Sequence, residues 1–182
     1  MIIKNFEINK INFSKNTIFL LYGENESQKQ EAISLIIKNT NITNKFNYEE
    51  SEVIENKENF FNSILSKSFF EDKKTIIISR ASDKIKDMIE EIYEKDIQDI
   101  VFIINSGILE KKSKLRNFFE KNKNIICIPF YQDTNQNLSK IANEFFSKNK
   151  IKISQRDINL IIERSSGKRD NLYNEMNKIK NF

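Results

Sequence analysis

The sequence contains no histidine and no tryptophan, and it has only one cysteine, one proline and three glycines. Without histidine the chain has no imidazole for acid–base catalysis, no serine–histidine triad and no histidine-ligated metal site. The single cysteine, Cys127, excludes a disulfide within the chain and is typical of a reducing compartment. It lies in the apolar run 125–128, so we expect a buried, unreactive thiol.

Long apolar runs and blocks of charge are also missing. No run approaches the roughly 20 residues of a membrane-spanning helix, and the first residues lack the basic-then-apolar order of a signal peptide. We therefore expect a cytoplasmic chain without membrane contact. The net charge of +4 arises from 30 basic and 26 acidic residues that are interspersed, so it does not by itself indicate a nucleic-acid partner.

Short apolar runs alternate with longer amphipathic segments through the first 130 residues. The runs predict five strands, at 17–22, 45–49, 75–78, 100–104 and 125–128, with Pro129 ending the last. Helical spacing of apolar residues predicts helices between them, at 27–39, around 60–65, at 84–94 and around 115–119. Apolar strands that alternate with helices predict an α/β domain with a doubly wound parallel sheet.

The remaining residues, 131–182, contain no predicted strand. Three amphipathic segments predict helices there: 134–149, a second opened by the capping sequence 154–157, and a third that follows Gly167. Three helices have a small core, so we expect a second, smaller domain.

The turn after the first strand is where such a domain binds nucleotides. A phosphate loop would read G-x-x-x-x-G-K-[ST] there, whereas residues 23–30 read GENESQKQ. Gly23 and Lys29 fall in register, but Gln28 replaces the second glycine and Gln30 replaces the hydroxyl residue. A side chain at Gln28 obstructs the close approach of a phosphate to the backbone.

Charge at the same turn also opposes a nucleotide. Glu24 and Glu26 place two negative charges where an anion would bind. The third strand runs into Ser79 and Arg80, where a nucleotide site would need a carboxylate to hold magnesium. We therefore expect no ATP hydrolysis, no catalytic site, no metal and no cofactor.

Four segments, taken in order, carry a resemblance. Residues 20–26, LLYGENE, form the opening strand and turn; residues 68–74 read SFFEDKK; residues 113–121 read SKLRNFFEK. Residues 167–172, GKRDNL, resemble the glycine-arginine segment of the AAA+ lid, whose arginine reaches the phosphates in nucleotide-binding members. Together they resemble the delta subunit of bacterial DNA polymerase III.

The resemblance implies an AAA+-like five-stranded domain over 1–130 with a degenerate phosphate loop, and a three-helix lid over 131–182. It implies the non-ATPase subunit of the clamp loader, which binds and opens the sliding clamp during DNA replication within the polymerase holoenzyme. The implied partners are the sliding clamp, the other clamp-loader subunits and primer–template DNA within the complex. The family continues into a C-terminal collar beyond the lid, so we expect this chain to be a fragment that is monomeric alone.

The implied clamp-binding residues are Ser68, Phe69 and Phe70, with Phe69 in place of the usual leucine. A second interpretation stays open, because Phe61, Leu65 and Phe69 have the i, i+4, i+8 spacing of one core stripe. Two adjacent phenylalanines are not expected to face one core together, and this expectation favours the projecting pair.

The basic residues also have alternatives. Lys29 and Arg169 are vestigial nucleotide contacts by resemblance; otherwise both are solvated, or Arg169 pairs with Asp170 or with an acid across the domain boundary. A local basic cluster is a candidate for phosphate contacts with DNA, although such clusters are commonly solvated faces; it comprises Lys111, Lys112, Lys114 and Arg116.

Two other functions remain open. A nucleotide-dependent switch with a divergent phosphate loop would bind ATP with magnesium. A stand-alone nucleic-acid-binding module would bind DNA with a steep salt dependence and without a clamp. The altered phosphate loop weighs against the first, and interspersed charge without an exposed aromatic platform weighs against the second.

Overall fold

The computed structural model describes residues 1–13, 15–65, 73–95, 97 and 99–181. The chain divides into two compact units, Met1–Phe130 and Tyr131–Phe182. None of the helices in these described ranges is both long enough and apolar enough to span a membrane.

The first unit contains five strands and five α-helices among its described residues. The strands are β1 (Ile18–Gly23), β2 (Asn44–Glu49), β3 (Lys74–Ala81), β4 (Ile100–Ser106) and β5 (Ile126–Phe130). The helices are α1 (Glu26–Thr40), α2 (Glu50–Glu55), α3 (Lys57–Leu65), α4 (Lys86–Glu94) and α5 (Lys114–Lys121). Two 3-10 helices, Asn5–Lys10 and Asp83–Ile85, complete the unit.

The sheet is parallel throughout, with strand order β2-β3-β4-β1-β5. Its two faces carry separate cores because neighbouring side chains of a strand point to opposite faces. In β1, Phe19 and Leu21 pack with α1, whereas Leu20 and Tyr22 pack with the side that carries α3, α4 and α5. Helices therefore cover both faces, and the predicted doubly wound α/β fold is confirmed.

Two details of the predicted elements are wrong. Pro129 does not end the last strand but lies within β5, where it pairs with Tyr22 of β1. The proline is tolerated because β5 is an edge strand, which needs fewer ladder hydrogen bonds. Helix α2 was not predicted; it follows β2 without a loop, and its capping box uses Glu49 and Glu52 in place of a serine or threonine cap.

The second unit consists, in its described part, of α6 (Asn135–Lys148), α7 (Gln155–Arg164) and α8 (Arg169–Lys180). The hydroxyls of Thr134 and Ser154 cap α6 and α7, each accepting from a backbone N–H at 3.2 Å. The buried residues form one small core: Leu138, Ala142, Phe146, Ile158, Ile161, Ile162, Leu172 and Met176.

Candidate functional site

The turn between β1 and α1 lies at the carboxyl end of the sheet, where β1 is flanked by β4 and β5. Gly23 has φ of +127°, and a Cβ added there would stand 2.1 Å from the Phe130 carbonyl oxygen. Only glycine fits this close approach. Helix α1 begins at Glu26 and is capped by Asn25, whose Oδ1 accepts from the Gln28 N–H at 3.2 Å. Strand and helix are therefore separated by two residues.

The backbone amides of this turn already donate hydrogen bonds within the chain. The Gly23 N–H donates to the Gly107 carbonyl at 2.9 Å, and the Asn25 N–H donates to the Phe130 carbonyl at 3.3 Å. The Glu26 N–H donates to the Glu24 carbonyl at 3.0 Å. A phosphate loop instead directs several such N–H groups at the ligand. The turn has a conformation different from that cradle.

Lys29 is buried, with 3% of its side chain exposed. Its Nζ donates to the Ser106 carbonyl at the end of β4 (2.7 Å) and pairs with Glu26 Oε2 (2.8 Å). The alternative of a solvated Lys29 is therefore wrong. The cause is local: α1 points this side chain at the end of β4, where a carbonyl and a carboxylate balance its charge.

Glu26 links this lysine to a second strand-end residue. Its Oε1 accepts from Asn105 Nδ2 at 3.0 Å and from Gln30 Nε2 at 2.9 Å. Burial raises the pKa of Glu26, but hydrogen bonds from Lys29, Gln30 and Asn105 outweigh burial and hold the pKa below its usual value. The carboxylate therefore stays ionised beside Lys29.

Asn105 was not singled out from the sequence. It is 7% exposed, and its Oδ1 is buried without a hydrogen-bond partner among the described residues. The signal that could have found it is the change from the apolar run 100–104 to Asn105 and Ser106 at the end of the strand. Polar residues that close a buried strand at this edge of the sheet are candidates for a site.

The two glutamines that replace phosphate-loop residues differ in burial. Gln28 is 8% exposed, and its side-chain oxygen accepts from Asn5 of the first 3-10 helix. Gln30 is exposed and donates to Glu26. Gln28 therefore joins the amino-terminal segment to the turn and occupies the space where a second glycine would leave the backbone open.

The end of β3 carries a basic residue and no acid. Arg80 has φ of +57° at an irregularity in the β3–β4 pairing, and its guanidinium lies 3.3 Å from Glu49. Its side chain is 83% exposed. Within the described ranges, no group of three or more cysteine, aspartate or glutamate side chains is arranged to hold a metal ion.

Arg169 begins α8 and forms a bidentate pair with Asp133 of the same unit. Its Nε donates to Asp133 Oδ2 at 3.0 Å and its Nη2 donates to Oδ1 at 2.8 Å. The aspartate side chain is 1% exposed and the arginine side chain is 13% exposed. The alternative of a solvated Arg169 is therefore wrong.

The basic cluster between β4 and α5 divides into two kinds of residue. Lys111, Lys112 and Lys114 are exposed, and Lys112 lies 3.0 Å from Glu110. Arg116 instead donates to Glu120 (2.7 Å) and to the Leu109 carbonyl (3.1 Å), and its guanidinium stacks 5.0 Å from the Tyr22 ring. The three lysines lie on the surface, and Arg116 has a structural role.

The proposed clamp-binding residues Ser68, Phe69 and Phe70 lie outside the described residues. These residues were favoured partly because two adjacent phenylalanines were not expected to face one core. Phe60 and Phe61 contradict that expectation: they are adjacent, 4% and 8% exposed, and buried in one core. Their rings meet edge to face, with centroids 6.0 Å apart. Adjacent phenylalanines can share a core here, so the assignment of Phe69 and Phe70 rests on the resemblance alone.

A parallel sheet in this order, covered on both faces and followed by three helices, defines an AAA+-like domain with a helical second unit. The family model described as DNA polymerase III, delta subunit, matches residues 19–129, which is more than half of the chain. The chain therefore belongs to the DNA polymerase III delta subunit family. No curated protein matches it at a significant level.

Solved structures of similar fold include a clamp-loader protein and two AAA+ proteins. The chain resembles the Bacillus subtilis DNA clamp loader delta protein, YqeN, with a TM-score of 0.64, 13% identity and coverage of 98% of this chain and 57% of that one. The chain also resembles the replication initiator DnaA bound to AMPPCP and single-stranded DNA, with a TM-score of 0.59 and 16% identity. The match covers 96% of this chain and 58% of DnaA. The RuvB branch migration motor of Thermotoga maritima is similar with a TM-score of 0.54 and 13% identity. That match covers 91% of this chain and 54% of RuvB. The chain thus spans just over half the length of these proteins.

Proposed function

We propose that this chain binds the sliding clamp and favours its open form as a delta subunit of the clamp loader, without hydrolysing ATP. The observation that carries the proposal is the closed turn between β1 and α1 in a member of the delta subunit family. A nucleotide would have to separate Lys29 from Glu26 and from the Ser106 carbonyl before it could use the lysine. Its phosphates would also meet the charges of Glu24 and Glu26.

Clamp binding requires no chemistry from this subunit. A ligand shifts an equilibrium only by its differential affinity, so the chain needs to bind the open clamp more tightly than the closed one. By resemblance the contact residues are Ser68, Phe69 and Phe70. Two phenylalanine side chains that become buried contribute about 1.5–3 kcal/mol each, which is a large part of a micromolar interaction.

The experiment compares the double variant Phe69→Ala/Phe70→Ala with the wild-type chain, using an immobilised cognate clamp and thermal melting. Removing an interface aromatic commonly costs about 2 kcal/mol or more, so we expect clamp affinity to fall by roughly a thousandfold. The melting temperature should change by less than about 2 °C. The control is Phe6→Ala, because Phe6 is 73% exposed and its removal tests the loss of an exposed aromatic elsewhere.

Two results would contradict the proposal. Unchanged clamp binding in the double variant would mean that this pair is not the contact. A large fall in melting temperature would instead support the alternative in which Phe69 continues the core, since a lost core phenylalanine costs about 3–5 kcal/mol.

The remaining partners follow from the same proposal. Within a clamp loader the chain would contact the other loader subunits in the cytoplasm, and its exposed lysines Lys111, Lys112 and Lys114 would face primer–template DNA. Arg116 is left out of this contact because its guanidinium is held by Glu120 and Leu109.

Neutralising the three lysines should reduce the salt dependence of DNA binding by the assembled loader. An unchanged slope of DNA affinity against salt concentration would show that the lysines do not contact DNA.

A further inference from the structure

The start of α1, next to the turn after β1, contains a buried cation whose counterion is supplied by the chain itself. Lys29 is 3% exposed, and a buried ammonium group is strongly destabilising unless a partner neutralises it. The Ser106 carbonyl accepts one hydrogen bond but carries no charge. Among the described residues, Glu26 at 2.8 Å is the acid whose carboxylate pairs with Lys29.

The Glu26 carboxylate is bound in the way that an external oxyanion would be. One oxygen pairs with Lys29, and the other accepts from the amides of Asn105 and Gln30. The side chain is also 55% exposed, so its place can be reached from solvent. The buried Oδ1 of Asn105 has no partner in the described part of the chain, which leaves one acceptor position beside Glu26 for a ligand with an O–H group.

We propose that Glu26 is an internal substitute for a bound phosphate, and that removing its charge converts the turn into a binding site for inorganic phosphate. The uncharged side chain at position 26, which is 55% exposed in the wild-type chain, would turn into solvent, so that Lys29 and the Asn105 amide bind the added anion. The protonated oxygen of phosphate could donate to Asn105 Oδ1. This inference concerns the folded chain alone, so it can fail without affecting clamp binding.

The test compares Glu26→Gln with Glu24→Gln. The two variants have the same net charge, and their substitutions lie two positions apart in the sequence. Glu24 is exposed and serves as the matched control. Without phosphate, we expect Glu26→Gln to melt about 4 °C or more below Glu24→Gln, because Lys29 loses its counterion. At about 10 mM phosphate the gap should close by half or more, relative to chloride at equal ionic strength.

Wild-type protein and Glu24→Gln provide the general salt effect, and both should shift together by about 1 °C or less. Equal melting of the two glutamine variants without phosphate would overturn the proposal. A gap that phosphate leaves unchanged would overturn it as well, because the loss would then lie in packing and not in an empty anion site.

A second variant covers the case in which Glu26→Gln does not fold. The double variant Glu26→Gln/Lys29→Met removes the buried cation together with its counterion, which is commonly less destabilising than removing one partner. We expect it to fold, to melt above Glu26→Gln and to lose the specific response to phosphate. If the double variant is no more stable than the single one, the uncompensated charge of Lys29 is not the cause and the proposal is wrong.

Discussion

Lys29 in the first unit and Arg169 in the second are both vestigial nucleotide contacts by resemblance. The chain neutralises their charges in two different ways. Each pairs with a carboxylate of its own unit, Glu26 for the lysine and Asp133 for the arginine. The two acids differ in exposure: the Glu26 side chain is 55% exposed and the Asp133 side chain is 1% exposed. The counterion of Lys29 is open to solvent, and the counterion of Arg169 is buried.

The difference teaches that the register of a motif does not determine the role of a basic residue. The resemblance predicts both residues to be vestigial nucleotide contacts. In this chain the charges make contacts within their own units: Lys29 joins α1 to the end of β4, and Arg169 joins α8 to the segment before α6. What distinguishes them is how far solvent reaches the counterion.

The largest effect is expected when the closed pair is broken. Arg169→Ala removes the guanidinium that pairs with the buried Asp133 carboxylate, and breaking a buried pair in this way costs about 3–5 kcal/mol. The second unit has a small core, so we expect hydrogen exchange to increase across α6, α7 and α8. Hydrogen-exchange mass spectrometry measures this directly, with β1 and β4 as internal references.

Asp170→Ala is the matched control for this variant, because Asp170 is exposed and adjacent to Arg169. It should leave exchange in the second unit unchanged. The double variant Arg169→Leu/Asp133→Leu removes both charges and should recover part of the stability. Normal protection of α6 to α8 in Arg169→Ala would show that the pair is not a structural element, and the comparison with Lys29 would then fail.

A smaller effect is expected at the glycine that opens the candidate site. Gly23→Ala would place a Cβ 2.1 Å from the Phe130 carbonyl oxygen at φ of +127°. Strain and overpacking should together cost about 2–4 kcal/mol. Gly107→Ala is the control, since no atom beyond the neighbouring residues of the chain lies within 4 Å of an added Cβ there. It should change stability by about 0.5 kcal/mol or less. Denaturant unfolding measures the free energy of unfolding of both variants. Equal stability of the two would mean that the close approach of Gly23 to the Phe130 carbonyl does not constrain the turn.

The sequence allows the fold to be predicted well where periodicity is strong. The runs 75–78 and 100–104 lie within β3 and β4. The apolar stripe of 84–94 lies mainly on α4, with Ile85 in the 3-10 helix that precedes α4. The three helices of the second unit also follow their predicted segments, because the caps at Thr134 and Ser154 mark where helices begin. Local propensity and burial agree in these elements.

The contacts of the candidate site could not be predicted, because they join residues far apart in sequence. Lys29 reaches the Ser106 carbonyl across 77 positions and Arg169 reaches Asp133 across 36. Spacing along a helix shows which face a side chain occupies but not which strand end lies opposite. The same limit explains why Asn105 was not identified, since its importance depends on its distance to Glu26.

The central claim is that the turn between β1 and α1 is closed by its own residues and does not bind a nucleotide. Isothermal titration of the wild-type chain with magnesium and ATP tests it most directly. We predict no heat beyond dilution at millimolar ATP, for three reasons. Lys29 is paired with Glu26, the backbone amides of the turn donate hydrogen bonds within the chain, and no acid stands at positions 79 and 80. A dissociation constant in the low micromolar range would contradict this account and favour the nucleotide-dependent switch.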